Sequence, residues 1–282
     1  GIMDQPVMIK DGVYWIGALD PGLVVFDIVI PTKHGTTYNA YLVKGEKIAV
    51  IETVKSYCVD GFISKIRSLV RPEDIDYIII NHTEPDHSGG LIRLMELAPN
   101  AIPVFSRGAR TFVKNILHKE FDYKEVKAGD SIDLGGKVLK FISAPFLHWP
   151  DTMFTYLETD KILFPCDAFG SHYCSDKRFN DELDSKEDAF TAYEFYYDTI
   201  LRPFKKHVIA ALDNIKDIDI DIIAPSHGPI LRENINKYID AYREWAGKTK
   251  KYPDKKKIAI IYVSSYGSTQ KMAESIYRGA CQ

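Results

Sequence analysis

The hydrophobic pattern changes its period several times along the chain. Near the N-terminus, Val13–Leu19, Leu23–Ile30 and Thr36–Val43 are rich in aromatic and β-branched residues and are separated by Pro-Gly and His-Gly turns, so they predict strands. Lys47–Ile51 adds another. Helical spacing takes over at Val54–Val70, and Arg71-Pro72 ends it. A continuous apolar run, Ile75–Ile80 with Asp76 and Tyr77 inside it, predicts a buried strand. The polar stretch Asn81–Gly90 follows, then a helix over Leu91–Leu97 opened by Ser88 as its cap. A strand at Ile102–Phe105 and a helix over Ala109–His118 complete this block.

A second block repeats the order. Ser131–Leu134, Val138–Ala144, Met153–Glu158 and Ile162–Pro165 predict strands. Ser185 and Asp188 make a capping box for a helix through Leu201, with Phe190, Tyr193, Tyr197 and Ile200 spaced for one buried face. A helix over about Pro203–Asn214, a strand at Ile218–Pro225 and a helix over Asn236–Ala246 follow. Two β-then-α blocks in succession predict two sheets packed face to face with helices outside. Gly247–Lys257 is a basic, Pro-containing linker. The pattern then restarts: a strand at Ile258–Val263, a turn rich in hydroxyls with a Gly, and a helix from Gln270. Such an opening can cradle a phosphate at a helix N-terminus. The expected units are 3–247, a linker 248–256, and 257–282, which is about one βα unit and too short to bury a core alone.

Composition narrows the function classes. Apolar residues make up 45% and charged residues 27%, as in ordinary globular proteins. Lys and Arg number 36 against 39 Asp and Glu, a net charge of −3, so no bulk attraction to nucleic acid or anionic membrane is implied. No apolar run approaches the ~20 residues of a membrane-spanning helix, and the N-terminus shows no basic-then-apolar signal pattern. Cys58, Cys166, Cys174 and Cys281 are scattered and read as free thiols in a reducing cytoplasm.

The chemistry concentrates in Asn81–Gly90. His82, Glu84, Asp86 and His87 fall on a turn at the carboxyl end of a predicted strand, where α/β proteins place their sites. Pro85 disfavours helix at Glu84, so His82–Asp86 is expected to be extended, with His82, Glu84 and Asp86 pointing the same way. A lone His or Asp at a strand end is ordinarily just hydrogen-bonded. Three such groups packed on one side without a cation would be costly, so the turn reads as a metal site. His148, Asp167 and His227 also follow apolar strands. Singly each reads as structural; with the turn they form a constellation.

The order His82-x-Glu84-x-Asp86-His87, His148, Asp167, His227, followed by a flavodoxin-like start, resembles the flavodiiron proteins, or A-type flavoproteins. Gly35–Leu42, Leu147–Phe154 and Ala224–Gly228 add to the likeness, which spans about 8–280. Zinc hydrolases of the metallo-β-lactamase superfamily carry His-x-His-x-Asp-His at such a turn. Glu84 in place of the second His adds charge and hard oxygen, moving preference toward iron or manganese. The resemblance implies an α/β (α+β) protein: a metallo-β-lactamase-like αββα sandwich, then the first βα unit of a flavodoxin-like domain. It implies two Fe, one held by His82, Glu84 and His148, the other by Asp86, His87 and His227, bridged by Asp167. In some members the equivalent of His87 swings away and water replaces it. Two Fe²⁺ against three carboxylates and a bridging hydroxide would leave the site neutral, which burial favours.

The same resemblance implies reduction of O₂ to water or of NO to N₂O, and it offers Tyr197 and His172 as pocket residues. FMN is expected at Ser264, Ser265, Tyr266, Gly267, Ser268 and Thr269 if the remainder of the flavodoxin-like domain is present; Tyr266 stands where that loop usually has a threonine. Rubredoxin or a reduced flavin or deazaflavin cofactor would supply electrons, and a head-to-tail homodimer or dimer of dimers would bring each flavin to its partner's irons. Two other readings stay open: a zinc hydrolase using metal-bound hydroxide, and a non-catalytic redox sensor or interaction module.

Overall fold

The computed structural model describes residues 5–27, 30–118, 120–248, 260, 262 and 267–281. The chain divides into two units, Gly1–Gly247 and Lys248–Gln282. In the first, the strands are β1 Val7–Lys10, β2 Val13–Trp15, β3 Ala18–Asp20, β4 Val25–Phe26, β5 Ile30–Pro31, β6 Thr36–Tyr38, β7 Tyr41–Lys44, β8 Ile48–Ile51, β9 Tyr77–Ile80, β10 Ile102–Ser106 and β11 Lys124–Val126. Further on come β12 Ser131–Asp133, β13 Val138–Ser143, β14 Met153–Leu157, β15 Ile162–Phe164 and β16 Ile222–Ile223. One sheet runs β1-β2-β7-β8-β9-β10-β11 and another β12-β13-β14-β15-β16, with two short two-stranded sheets, β3-β6 and β4-β5. The first large sheet is antiparallel to β8 and parallel from there to β11. The second is antiparallel except for the β15–β16 pair.

Side-chain alternation builds the layers. Tyr41, Val43, Ala49, Ile51, Ile79 and Val104 point into a core shared with Leu139, Phe141, Leu157, Ile162 and Phe164 of the second sheet. The residues between them, Leu42, Val50, Ile78, Ile80 and Phe105, face outward onto helices. Those helices are α1 Val59–Leu69, α3 Leu91–Leu97 and α4 Arg110–Leu117; the short α2 Pro85–Ser88 lies between α1 and α3 in the chain. On the other flank, Phe154, Tyr156, Leu163 and Ile223 meet α5 Lys186–Tyr196, α6 Lys205–Ile215 and α7 Ile235–Gly247. The result is an αββα sandwich of the metallo-β-lactamase type.

Some elements differ from expectation. The run Val13–Leu19 breaks at Gly17, whose ideal Cβ would lie 2.3 Å from the carbonyl oxygen of Tyr38, so only Gly lets the two backbones meet there. Thr36–Val43 breaks at Asn39, and β1 and β11 carry no alternation long enough to be predicted. In the second unit, α8 Ser268–Ala280 follows Gly267, which sits at φ 79. All of the expected linker 248–256 except Lys248, most of the strand at 258–263, and Ser264, Ser265 and Tyr266 lie outside the described residues.

Candidate metal centre

The strand ends deliver the polar side chains. His82 follows β9, Asp167 follows β15, and His227 follows β16 on one segment with Pro225 and Ser226. The turn itself departs from the extended path predicted for it. Glu84 is extended, with φ −53 and ψ 144, as a residue before proline should be. Pro85 then starts α2, because at a helix's first position its missing N–H is no loss. Asp86 and His87 therefore sit in a helical turn. Ser88 ends α2 instead of capping α3; its hydroxyl donates to the carbonyls of Thr83 and Glu84, and Gly90 stands at the α3 N-cap.

Seven side chains converge in two sets. In one, Nε2 of His82 and of His148 lie 2.9 and 3.0 Å from the same Glu84 oxygen, Oε2. Both nitrogens also face Asp167 Oδ2, at 3.7 and 3.5 Å. In the other, Nε2 of His227 and of His87 lie 3.0 and 3.3 Å from Asp86 Oδ2. These face the other Asp167 oxygen, Oδ1, at 3.3 and 3.1 Å. Asp167 thus stands between the sets with one oxygen toward each.

The residues fit a pair of cations. Asp86 Oδ1, His87 Nε2 and both oxygens of Asp167 are buried without a hydrogen-bond partner among the described residues. Four such atoms in one place would be costly unless a cation satisfied them. The ligand atoms of His82, Glu84, His87 and Asp167 lie within 4.8 Å of one another, as do those of Asp86, His87 and His227. Imidazole and carboxylate without thiolate suits iron, manganese or zinc. Electrostatics shows the same demand for positive charge. Burial opposes protonation of His82, yet hydrogen bonds to Asp151 and Glu84 push it up to about 10. Burial opposes protonation of His227 too, and the adjacent carboxylates of Asp167 and Asp86 push it up to about 9. Burial raises Asp86 and Asp167, but the neighbouring histidines, His87 first, outweigh it and hold both below the usual carboxylate range.

An outer layer orients the imidazoles through their Nδ1 atoms, leaving Nε2 for the centre. His227 Nδ1 donates to the Thr37 carbonyl at 2.7 Å. His82 Nδ1 lies 3.0 Å from Asp151 Oδ1, and His87 Nδ1 lies 2.5 Å from Glu52 Oε2. Neither acid was anticipated as a site residue. Each carried a signal: Glu52 ends the apolar strand β8 as Asp167 ends β15, and Asp151 follows the His148 segment.

The tyrosine that meets the cluster is Tyr196, one residue before the one expected. Its ring centroid lies 4.9 Å from His172 and 6.2 Å from His227. Tyr197 turns away, 4.9 Å from Tyr242 and 5.2 Å from Trp245. Tyr197 stays on the stripe of Phe190 and Tyr193, all three of which pack on Trp245, while Tyr196 lies about 100° round the helix from it; a π-helical turn over Tyr197–Leu201 follows. His172 does sit beside the cluster, 5.6 Å from His227, with Nδ1 at 2.9 Å from the Thr36 hydroxyl. Burial, helped by the charge of His227, pushes it down to about 3, so it is a neutral imidazole. The Trp149 ring lies 4.9 Å from His82 and shields that side.

Known proteins resemble this chain in both sequence and fold. The profile described as "ODP family beta lactamase" matches residues 36–228. The chain is 45% identical to "Flavo-diiron protein FprA2" of Clostridium acetobutylicum, over 97% of this chain and 69% of that protein. It is 41% identical to "Nitric oxide reductase" of Moorella thermoacetica, over 98% of this chain and 69% of that protein. Among solved structures, the rubredoxin oxygen:oxidoreductase of Desulfovibrio gigas superposes with a TM-score of 0.83 at 30% identity, covering 86% of this chain and 61% of that one. The chain thus spans roughly two thirds of the length of these proteins, and across that span it belongs to the flavodiiron family.

Proposed function

We propose that this chain carries a non-haem di-iron centre and forms the catalytic part of an oxidoreductase that reduces O₂ to water or NO to N₂O, with electrons arriving through FMN. One position is held by His82, Glu84 and His148, the other by Asp86, His87 and His227, and Asp167 bridges them. The observation that carries this reading is the division of Asp167, whose Oδ2 faces the first set and Oδ1 the second. Two irons, when bound, supply two electrons at one place, which favours O₂ or NO reduction over one-electron release.

The surrounding residues prepare the site. Trp149 excludes water beside His82. Burial, then the charge of Asp167, keeps the Tyr196 phenol protonated. The neutral His172 adds a polar atom, Nε2, without adding charge. Together they form a wall that can donate a hydrogen bond to a small neutral molecule. Gly267, Ser268 and Thr269 open a helix in the second unit, which supports FMN phosphate binding there. Rubredoxin or a reduced flavin or deazaflavin is the donor, and a head-to-tail homodimer, or a dimer of dimers, is the assembly. The four free cysteines support a cytoplasmic setting; no helix among the described residues is long and apolar enough to cross a membrane.

The test is elemental analysis of anaerobically purified protein, with O₂ and NO consumption by the full-length protein supplied with rubredoxin and its reductase. Two irons per chain and consumption of either gas are expected. Two zincs per chain with ester hydrolysis would overturn the reading.

A further inference from the structure

One buried acid outside the seven touches three of the four segments that deliver them, all but that of His148. Glu52 follows β8, is 1% exposed and has φ 63, a left-handed backbone that non-glycine residues rarely adopt. Such strain persists only where surrounding contacts over-determine it, and it concentrates at functional sites. Glu52 Oε1 accepts the Asn81 N–H at 2.5 Å. Its Oε2 lies 2.5 Å from His87 Nδ1, accepts from the Ser226 hydroxyl at 3.3 Å, and is 3.6 Å from Cys166 Sγ. Asn81, Cys166 and Ser226 immediately precede His82, Asp167 and His227. Cys166 also has a left-handed backbone, φ 57. The next residue completes the grip: the N–H and hydroxyl of Thr53 both donate to the His87 carbonyl, at 2.9 and 2.5 Å.

We propose that Glu52 is the positioning residue that fixes the tautomer and direction of the His87 ring, and so decides whether the second metal position has a third protein ligand or an open place. This rests on the di-iron reading above. The chemistry is that of a carboxylate among donors. With its proton on Nδ1 and given to Glu52, His87 keeps a free lone pair on Nε2, aimed toward Asp86 and Asp167. A carboxylate accepts at both oxygens, whereas an amide accepts at one and donates at the other. In Glu52→Gln the Asn81 N–H cannot move its proton, so the amide oxygen must serve it. The amide NH₂ then faces His87 Nδ1. The imidazole must shift its proton to Nε2 or rotate, and either change removes it as a ligand. The first position, whose His82 is oriented by Asp151, keeps its geometry.

The test titrates Fe²⁺ into metal-free wild-type protein, Glu52→Gln and Glu52→Asp under anaerobic conditions, with Mössbauer spectra of each loaded form. Wild type must first take up two Fe²⁺; failure there overturns the di-iron reading and, with it, any role for Glu52 at a second metal position. Given two sites, Glu52→Gln is expected to keep the first within about threefold and weaken the second roughly 10–100-fold, the usual effect of losing an outer-layer partner. The spectrum should lose the component of the second iron. Glu52→Asp, which keeps two acceptor oxygens, should recover part of that loss, and it replaces Glu52→Gln if the latter does not fold. In a His87→Ala background, Glu52→Gln should add little further weakening. Wild-type affinities in Glu52→Gln, equal weakening of both positions, or additive losses in the double variant would each overturn the proposal.

Discussion

Asp151 braces His82 from behind: its Oδ1 lies 3.0 Å from the ring Nδ1, while its Oδ2 accepts both the N–H and the hydroxyl of Thr83 at 2.7 Å. One carboxylate therefore fixes both the ring and the backbone at the start of the metal turn. Asp151→Asn keeps the shape but presents an NH₂ to one of these donors. Iron affinity at the position of His82, Glu84 and His148 should fall about 10–100-fold, with the other position less affected. Competition with a calibrated Fe²⁺ chelator measures this; equal affinities in the variant and wild type would show that Thr83 and packing suffice.

Asp167→Asn should act on both positions at once. Each Asp167 oxygen serves a different set, and both are buried without a hydrogen-bond partner among the described residues. The amide loses one charge and one of the two oxygen donors shared by two cations. Metal content per chain should fall below one, and far-ultraviolet circular dichroism should stay native. Retention of two irons per chain would show that another group bridges.

The seven convergent residues were legible because the segments that carry them each follow an apolar strand, where clustered polar side chains need a reason to be. The two layers of sheet were legible from alternation, as in Leu139 and Phe141 turning inward from β13. What escaped depended on local geometry. Pro85 forbids helix behind it but permits helix ahead of it, so one residue type supports both the expected extended turn and the observed α2. Tyr196 and Tyr197 are neighbours, and which of them reaches the cluster depends on how α5 is rotated against its surroundings, which spacing alone leaves open. Glu52 carries the same strand-end signal as Asp167, but its partners come from positions as distant in sequence as Ser226.

Asn39 should be a stability site that also supports the centre. Its side-chain oxygen accepts the Trp15 indole N–H at 2.9 Å, and its amide donates to the carbonyls of Pro225 and Gly228 at 2.9 and 2.8 Å. Those carbonyls flank His227. Asn39→Ala strands the buried indole donor and the Gly228 carbonyl, while Pro225 keeps the Tyr41 hydroxyl at 2.6 Å. Each stranded group costs about 1–3 kcal/mol, so a loss of about 3 kcal/mol is expected, seen as a Tm lower by roughly 10 °C. Calorimetry of the metal-free protein checks it without interference from iron; an unchanged Tm would mean that water replaces the amide.

Tyr196 and Tyr197 should separate function from stability in adjacent positions. The Tyr197 hydroxyl is buried with no hydrogen-bond partner among the described residues, and its ring packs on Tyr242 and Trp245 beneath the Arg202 guanidinium. A buried hydroxyl without a partner is a net cost, so Tyr197→Phe should be neutral or stabilising by up to about 1 kcal/mol, with iron content and gas consumption unchanged. Tyr196 is equally buried, but its ring faces His172 and His227, and the nearby charge of Asp167 helps hold its phenol protonated. Tyr196→Phe should leave two irons per chain and the fold intact while slowing gas consumption by the full-length, flavin-loaded protein about tenfold or more, the scale of a lost hydrogen-bond donor. The paired comparison is the check, since both variants delete one oxygen. Slower turnover in Tyr197→Phe with none in Tyr196→Phe would show that the helix presents the other face to the reacting molecule.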